Sequence, residues 1–540
     1  MSPRRDAERR LRVHVTGGEV LGVREGAICA WRGIPYAAPP TGERRFRAPA
    51  PVIPWTGTRD ASAFGAIAPQ TLRRRLRGAP ALVATDEDCL TVNVQAPVDD
   101  DGGEPLPVMV FIHGGGYSSG SSREFSGRGE SFVASGRAVY VSFNYRLGPF
   151  GYLDFSLYST PSHTFDNNLG LRDQLALLRW VRDNIREFGG DPGNVTIFGE
   201  SAGGNAVIAL LAMPTAEGLF TRAIAQSAPP SAMYGPELTS AWAADFVDIL
   251  AASTGASPGD EQEAGDLIAG AEVADLLAAS LVLQTRTPEV YPGRFCLAPV
   301  IDGDLLPEHP MTAIRMGRAH RVPLIIGTND REGTVFRGRV DILPRSPRRI
   351  AAVFGRAPVW SRDRMRSAYP GLPDARGAAA DFSGDYGFWY PSVLTADFHS
   401  AYAPVHSYRF DLAPRLLKVL GLDATHGVEM FALFDSLDLP LARAMTSLGG
   451  REPYAAAGER MRAYWLDFAE EGRVADTWPP YDVERRATLI IDQNDRIEND
   501  PHRARRRAWG LFLPELSGGL RLWAARSSAQ AERAEQCGPA

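Results

Sequence analysis

Ser201 stands in Gly199-Glu200-Ser201-Ala202-Gly203, a G-x-S-x-G sequence whose flanks matter more than its five letters. The β-branched run Val195-Thr196-Ile197-Phe198 precedes it, and Asn205 to Met213 follows with strong helical propensity. Strand, tight turn and helix in that order make a nucleophile elbow, which strains the serine backbone and exposes its hydroxyl. Gly199 and Gly203 let neighbouring backbone approach where a Cβ would collide. The new helix aims its free N–H groups and positive dipole end at the same spot. Such a serine attacks a carbonyl carbon when a base takes its proton, and the oxygen that turns negative then needs donors. His113-Gly114-Gly115-Gly116-Tyr117, just after the apolar run Val108–Ile112, has the form of a loop that supplies them. The expected donors are the backbone N–H groups of Gly115, Gly116 and Ala202. His113 reads as part of that loop rather than as the base.

A base and an acid to orient it must follow along the chain, in the order serine, Asp or Glu, then histidine. After Val322–Ile326 comes Gly327-Thr-Asn-Asp330-Arg-Glu332-Gly333, with two acids in one loop. His399, His406 and His426 all lie downstream. On residue type and order alone, the acid is Asp330 or Glu332 and the base is any of those three histidines.

The elements that must position these groups are readable as patterns. Val108–Ile112, Ala138–Phe143, Val195–Phe198, Pro323–Ile326, His406–Phe410 and Thr488–Ile491 are nearly continuous apolar runs, which predicts strands buried on both faces of a parallel or mixed sheet. From Asn168 to Phe188, Leu171, Leu175, Leu178, Val181, Ile185 and Phe188 recur at steps of three or four, one stripe of a helix that Gly189-Gly190 and Asp191-Pro192 should stop. Helix followed at once by strand is the unit of an open α/β sheet with helices on both faces. Residues 240–290 and 335–400 read as helical insertions. Residues 1–11 form a loose leader, 12–525 one unit, and 526–540 a loose tail.

Composition removes other chemistries. At 44% hydrophobic and 23% charged residues the chain is globular in type, and a net charge of −6 argues against a nucleic-acid partner. Lys418 is the single lysine, between Leu417 and Val419, so neither a phosphate-binding P-loop nor a Ser-x-x-Lys site is present. Four scattered cysteines make no disulfide scaffold, no H-E-x-x-H occurs, and no apolar run approaches the ~20 residues that span a bilayer. No metal, cofactor or membrane partner is expected. With no apolar leader after Met1–Arg10, a cytoplasmic location is the expectation.

The ordered motifs resemble those of the type-B carboxylesterases, the family that includes carboxylesterases and cholinesterases. Phe188-Gly-Gly-Asp-Pro-Gly-Asn-Val-Thr-Ile-Phe-Gly-Glu-Ser201-Ala-Gly203 is similar to the family's serine-site signature, and Glu87-Asp-Cys89-Leu-Thr-Val-Asn-Val94 to its second. Trp31-Arg-Gly-Ile-Pro-Tyr36, Gly218-Leu-Phe-Thr-Arg-Ala-Ile-Ala-Gln-Ser227 and Trp478-Pro-Pro-Tyr481 add to the likeness, which runs from about Val15 to Ile491. The resemblance implies an α/β-hydrolase fold, with a central, mostly parallel twisted sheet, helices on both faces and helical insertions forming the substrate pocket. It implies Glu332 as the acid and His426 as the base, with Glu200 and Ser227 close behind them. Tyr117, Phe388 and Trp389 are candidates for apolar pocket lining.

The activity implied is hydrolysis of small carboxylic esters through an acyl-enzyme at Ser201. Alternatives are acyl transfer, or carbamate or amide hydrolysis, by the same three groups, and a non-catalytic binding module. An ordinary imidazole value of ~6.5 predicts loss of activity below about pH 6. In disulfide-bearing relatives the cysteine matching Cys89 has a partner where this chain has Ala68, so that bridge cannot form, as suits a reducing compartment. The stretch from Thr71 to Thr85 carries four arginines and no aromatic residue to hold a choline cation, which points to neutral or other non-choline esters. The oligomeric state is left open.

Overall fold

The computed structural model describes residues 11–71, 83–98, 103–336 and 341–513. The expected tail, nearly all of the leader and most of the arginine-rich stretch lie outside them.

An eleven-stranded sheet organises the chain. From edge to edge it runs Arg496–Asn499, Ala487–Ile491, Val405–Phe410, Leu324–Asn329, Arg222–Gln226, Gly190–Glu200, Leu106–Ile112, Val139–Phe143, Thr91–Pro97, Ile28–Pro35 and Val23–Glu25. The seven strands from Ala487–Ile491 to Val139–Phe143 are parallel, and antiparallel strands close both sides. After Leu106–Ile112 the chain first builds the strand on one side and then crosses to build Gly190–Glu200 on the other. A crevice opens at the carboxyl ends of parallel strands at such a reversal. Register brings the right residues to it: Ile112 lies opposite Gly199, and Gln226 opposite both Glu200 and Gly327. The loops that follow Ile112, Glu200 and Asn329 therefore emerge side by side.

Both faces of the sheet are covered. One carries the helices Leu169–Asn184 and Ala202–Ala212, in a core with Val108, Val110, Ile197 and Leu210. The other carries Arg451–Glu471, whose Trp465 packs with Met109, Phe111, Phe198 and Phe434. The expected insertions are helical: Pro236–Thr254, Glu261–Gly270 and Val273–Val290, then Pro347–Arg356, Arg362–Ala368, Arg376–Gly384 and Tyr390–His399.

Two expectations about boundaries need correction. Asp191-Pro192 does not end the helix from outside; it lies within the strand Gly190–Glu200, which starts five residues before Val195. The helix itself stops in a 3-10 turn, Ile185–Phe188, with Gly189 left-handed at φ 83°. Proline is tolerated because the pairing slips there between Leu106 and Val108, and Asp191 Oδ1 accepts the Gly193 N–H at 2.9 Å. The strands Ile28–Pro35, Thr91–Pro97 and Arg222–Gln226 also went beyond the apolar runs. In Thr91–Pro97 the alternating Thr91, Asn93 and Gln95 are as buried as their neighbours, because Asn93 bonds Gly33 N–H at 3.0 Å and Ser122 Oγ at 2.9 Å.

A buried ion pair steadies the loops around the crevice. Arg146 donates from Nε and Nη2 to Asp173 at 2.8 and 2.6 Å, its own backbone N–H adds a third bond, and Nη1 reaches Arg47 O at 2.7 Å. Both side chains are almost wholly out of solvent. Next to it, Tyr145 stacks on His113 at 4.3 Å and donates to the His113 carbonyl at 2.6 Å, so the pair indirectly braces the glycine loop. Asp173→Asn should strand the Arg146 charge and cost about 3–5 kcal/mol. The expected readout is a lower denaturant midpoint; an unchanged midpoint would show that the pair contributes nothing.

Candidate active site

Ser201 sits at φ 59°, ψ −120°, between the strand Gly190–Glu200 and the helix Ala202–Ala212. An L-residue avoids that conformation unless its surroundings impose it. Here the Ser201 N–H donates to Gln226 O at 2.9 Å, and its carbonyl accepts from Asn205 N–H at 2.9 Å. The helix start can press this close to strand Leu106–Ile112 only because residue 203 is glycine. A Cβ there would lie 2.0 Å from Ile112 O.

Three side chains from distant parts of the chain meet at the turn. His426 Nε2 is 2.9 Å from Ser201 Oγ, and its Nδ1 is 2.5 Å from Glu332 Oε2. The other oxygen of Glu332 accepts the Ser227 hydroxyl at 2.6 Å and the Asn329 N–H at 2.7 Å. Fixing the carboxylate at both oxygens fixes the ring that leans on it, and a proton on Nδ1 leaves Nε2 free to accept from the serine. Glu200 Oε1 also lies 3.2 Å from Nε2.

The residues left open by position alone are now separated. Asp330 faces Arg409 and His502, at 3.4 and 3.3 Å. His399 contacts Val322 O at 2.8 Å, and His406 packs against Trp478. None of the three is in contact with Ser201.

The glycine loop faces the same turn. Gly115 and Gly116 are left-handed, at φ 116° and 62°, and a Cβ on Gly115 would sit 2.0 Å from Ser119 O. Among the described residues, the N–H groups of Gly115, Gly116 and Ala202 donate to no protein acceptor. They line the same cavity as Ser201 and His426, which makes them available to an oxygen bound there.

That cavity measures about 960 Å³ and is mostly apolar. Tyr117 and Phe388 line it as expected; Phe388 packs on the His426 ring at 4.5 Å. Trp389 does not, which corrects its assignment. The segment Asp385–Trp389 is a π-helical turn, and it sends Trp389 to the other side, edge-on to His502 at 5.7 Å.

Glu429 had no role assigned from sequence. It is fully buried in the first turn of helix Val428–Leu433, and its Oε2 accepts from Asn329 Nδ2 at 2.5 Å. Its place three residues after His426 was the available signal. Burial, reinforced by the carboxylates of Glu200 and Glu332, raises Glu429 to about 8. Burial works against a protonated His426, but Glu200 and Glu332, with a smaller push from Glu429, outweigh it and raise the ring to about 9. The ordinary imidazole value expected from sequence does not hold at this site.

Comparison with known proteins agrees with the resemblance read from sequence. The model of the carboxylesterase family matches residues 9–352. The para-nitrobenzyl esterase of Bacillus subtilis (strain 168) is 37% identical over 493 residues, covering 91% of this chain and 96% of its own. The fumonisin B1 esterase of Sphingopyxis macrogoltabida is 34% identical over 502 residues, 88% of this chain and 85% of its own. A solved PNB esterase structure superimposes with a TM-score of 0.81 at 35% identity, covering 92% of this chain and 99% of that one.

The three carboxylates predict a measurable electrostatic state. By NMR titration, the His426 ring should change charge well above ~6.5. Glu200→Gln removes one negative neighbour and should move that midpoint down. A midpoint that stays put in the variant would mean Glu200 does not act on the ring.

Proposed function

The chain belongs to the carboxylesterase family of carboxylic ester hydrolases, and we propose that it cleaves its esters through Ser201, His426 and Glu332 by way of an acyl-enzyme. The observation that carries this reading is the continuous hydrogen-bonded path from Ser201 Oγ through the imidazole to Glu332, 2.9 and 2.5 Å long, at the wall of a large apolar cavity.

As Ser201 Oγ attacks the ester carbonyl, His426 Nε2 takes its proton. The tetrahedral oxyanion is held by the N–H groups of Gly115, Gly116 and Ala202; losing one such donor typically costs about 10²–10³ in rate. The imidazolium returns the proton to the departing alcohol, leaving the acyl group on Ser201. Water, deprotonated by the same ring, releases the acid. Glu332 keeps the Nδ1 proton in place and stabilises the imidazolium. Ser227 and the Asn329 N–H hold Glu332, and Glu200 favours the charged ring.

Non-choline esters suit a cavity whose described lining lacks tryptophan, the ring that holds a cation best. Its described aromatic residues are Phe111, Tyr117, Phe125, Phe295, Phe336, Phe388 and Phe431, with no tryptophan face to hold a quaternary ammonium. Cys89 and Cys296, buried and without a disulfide among the described residues, fit a reducing compartment, and no helix among the described residues is long and apolar enough to cross a membrane.

Ser201→Ala should lower turnover of a p-nitrophenyl ester by several orders of magnitude with the fold intact by circular dichroism. A sulfonyl fluoride should add one equivalent on the peptide carrying Ser201; label found elsewhere would refute the assignment. The reaction needs a neutral imidazole, so a ring raised to about 9 displaces the acidic limb of the pH profile upward. The kcat/KM value should therefore still be climbing between pH 7 and 9, and a plateau reached by pH 7 would contradict it.

A further inference from the structure

Four acidic or basic side chains line the cavity among its described residues: Glu124, Glu200, His426 and Arg294. Glu200 and His426 belong to the reacting end, and Arg294 has no part in the mechanism above. It opens the segment 294–298, which forms one wall after the helix Val273–Val290. Its guanidinium lies over the Tyr234 ring, 5.3 Å from the centroid. That ring is itself fixed, edge-on to Trp242 at 5.1 Å and with its hydroxyl accepting the Phe295 N–H at 3.2 Å. The cation thus rests on a built aromatic platform.

No carboxylate answers it among the described residues. The nearest acids along the chain are engaged elsewhere: Glu289 with Arg349 at 2.5 Å, and Asp302 with Asn168 at 2.9 Å and the Leu306 N–H at 2.9 Å. Arginine cannot shed its charge, and its planar fork of donors fits a carboxylate. His309, pushed down to about 4 by burial and further by Arg294, stays neutral beside it and offers no competing charge. Glu200 at the serine repels a second anion near the reacting carbon. A carboxylate on the substrate is therefore better placed on the Arg294 wall than beside the ester bond.

We propose that Arg294 is a specificity-determining residue that receives a free carboxylate at the far end of the ester, making half-esters of dicarboxylic acids or carboxylate-bearing alcohols the preferred class. The proposal rests on the ester hydrolase reading and extends it.

The test compares charged with uncharged esters. For the acyl side the pair is p-nitrophenyl hydrogen glutarate and p-nitrophenyl valerate; for the alcohol side it is 4-carboxyphenyl butyrate and phenyl butyrate. The wild type, Arg294→Gln and Arg294→Lys are assayed on each. In one arm, the charged-to-neutral ratio of kcat/KM should fall about tenfold or more in Arg294→Gln, recover in part in Arg294→Lys, and shrink in high salt for the wild type. The arm that responds tells which half of the ester carries the anion. Equal losses on both members of a pair, or ratios unchanged in both arms, would overturn the proposal. Wild-type enzyme inert toward all four esters would instead sink the hydrolase reading.

Discussion

The backbone of Ser201 is the constraint on which the site depends. A residue at φ 59°, ψ −120° is costly to hold, and it is held here by packing on three sides. The helix Ala202–Ala212 is entirely buried against the sheet, Ile112 O fills the space a side chain at residue 203 would need, and Gln226 O takes the serine N–H. The same close approach that strains the serine draws the glycine loop after Ile112 up to it. Hydroxyl and amide donors thus share one cause, the seating of a helix start on strand Leu106–Ile112.

Charge is the second organising factor. Glu200, Glu332 and Glu429 are gathered, largely buried, about a single imidazole. Placing three carboxylates together is unfavourable unless some give up charge or share a cation, and both occur: Glu429 is pushed toward its neutral form and His426 toward its charged one. An imidazolium stabilised before the substrate arrives is also the species that the proposed mechanism forms as the serine attacks. In that mechanism the arrangement favours the charged stage at the expense of the neutral base that starts it.

The parts of this site legible in sequence were the local ones. The elbow and the glycine loop are continuous stretches in which turn geometry dictates residue type, so Ser201, Ala202, Gly115 and Gly116 could be named from their neighbours. Glu332 and His426 could not be separated from Asp330, His399 and His406 by position, because the choice is made by strand register hundreds of residues apart; only family resemblance pointed to them. Trp389 was misplaced for a different reason. It is adjacent to Phe388, but consecutive residues of a helical turn point to different sides. The raised pKa of His426 and the unmatched charge of Arg294 are tertiary facts with no local signature. Asn93 hid a buried strand because a polar residue reads as exposed until its partners, here the Gly33 N–H and Ser122 Oγ, are known.

The three hydrogen-bonded side chains are separated by 225 residues between Ser201 and His426, and by 94 between Glu332 and His426. A ribosome working from the amino end therefore synthesises the serine and the glycine loop long before the imidazole exists. Throughout that interval the hydroxyl is an ordinary alcohol, and the growing polypeptide cannot acylate itself or attack bystander esters. Any chemistry that needs all three side chains therefore waits for the segments that carry Glu332 and His426 to dock.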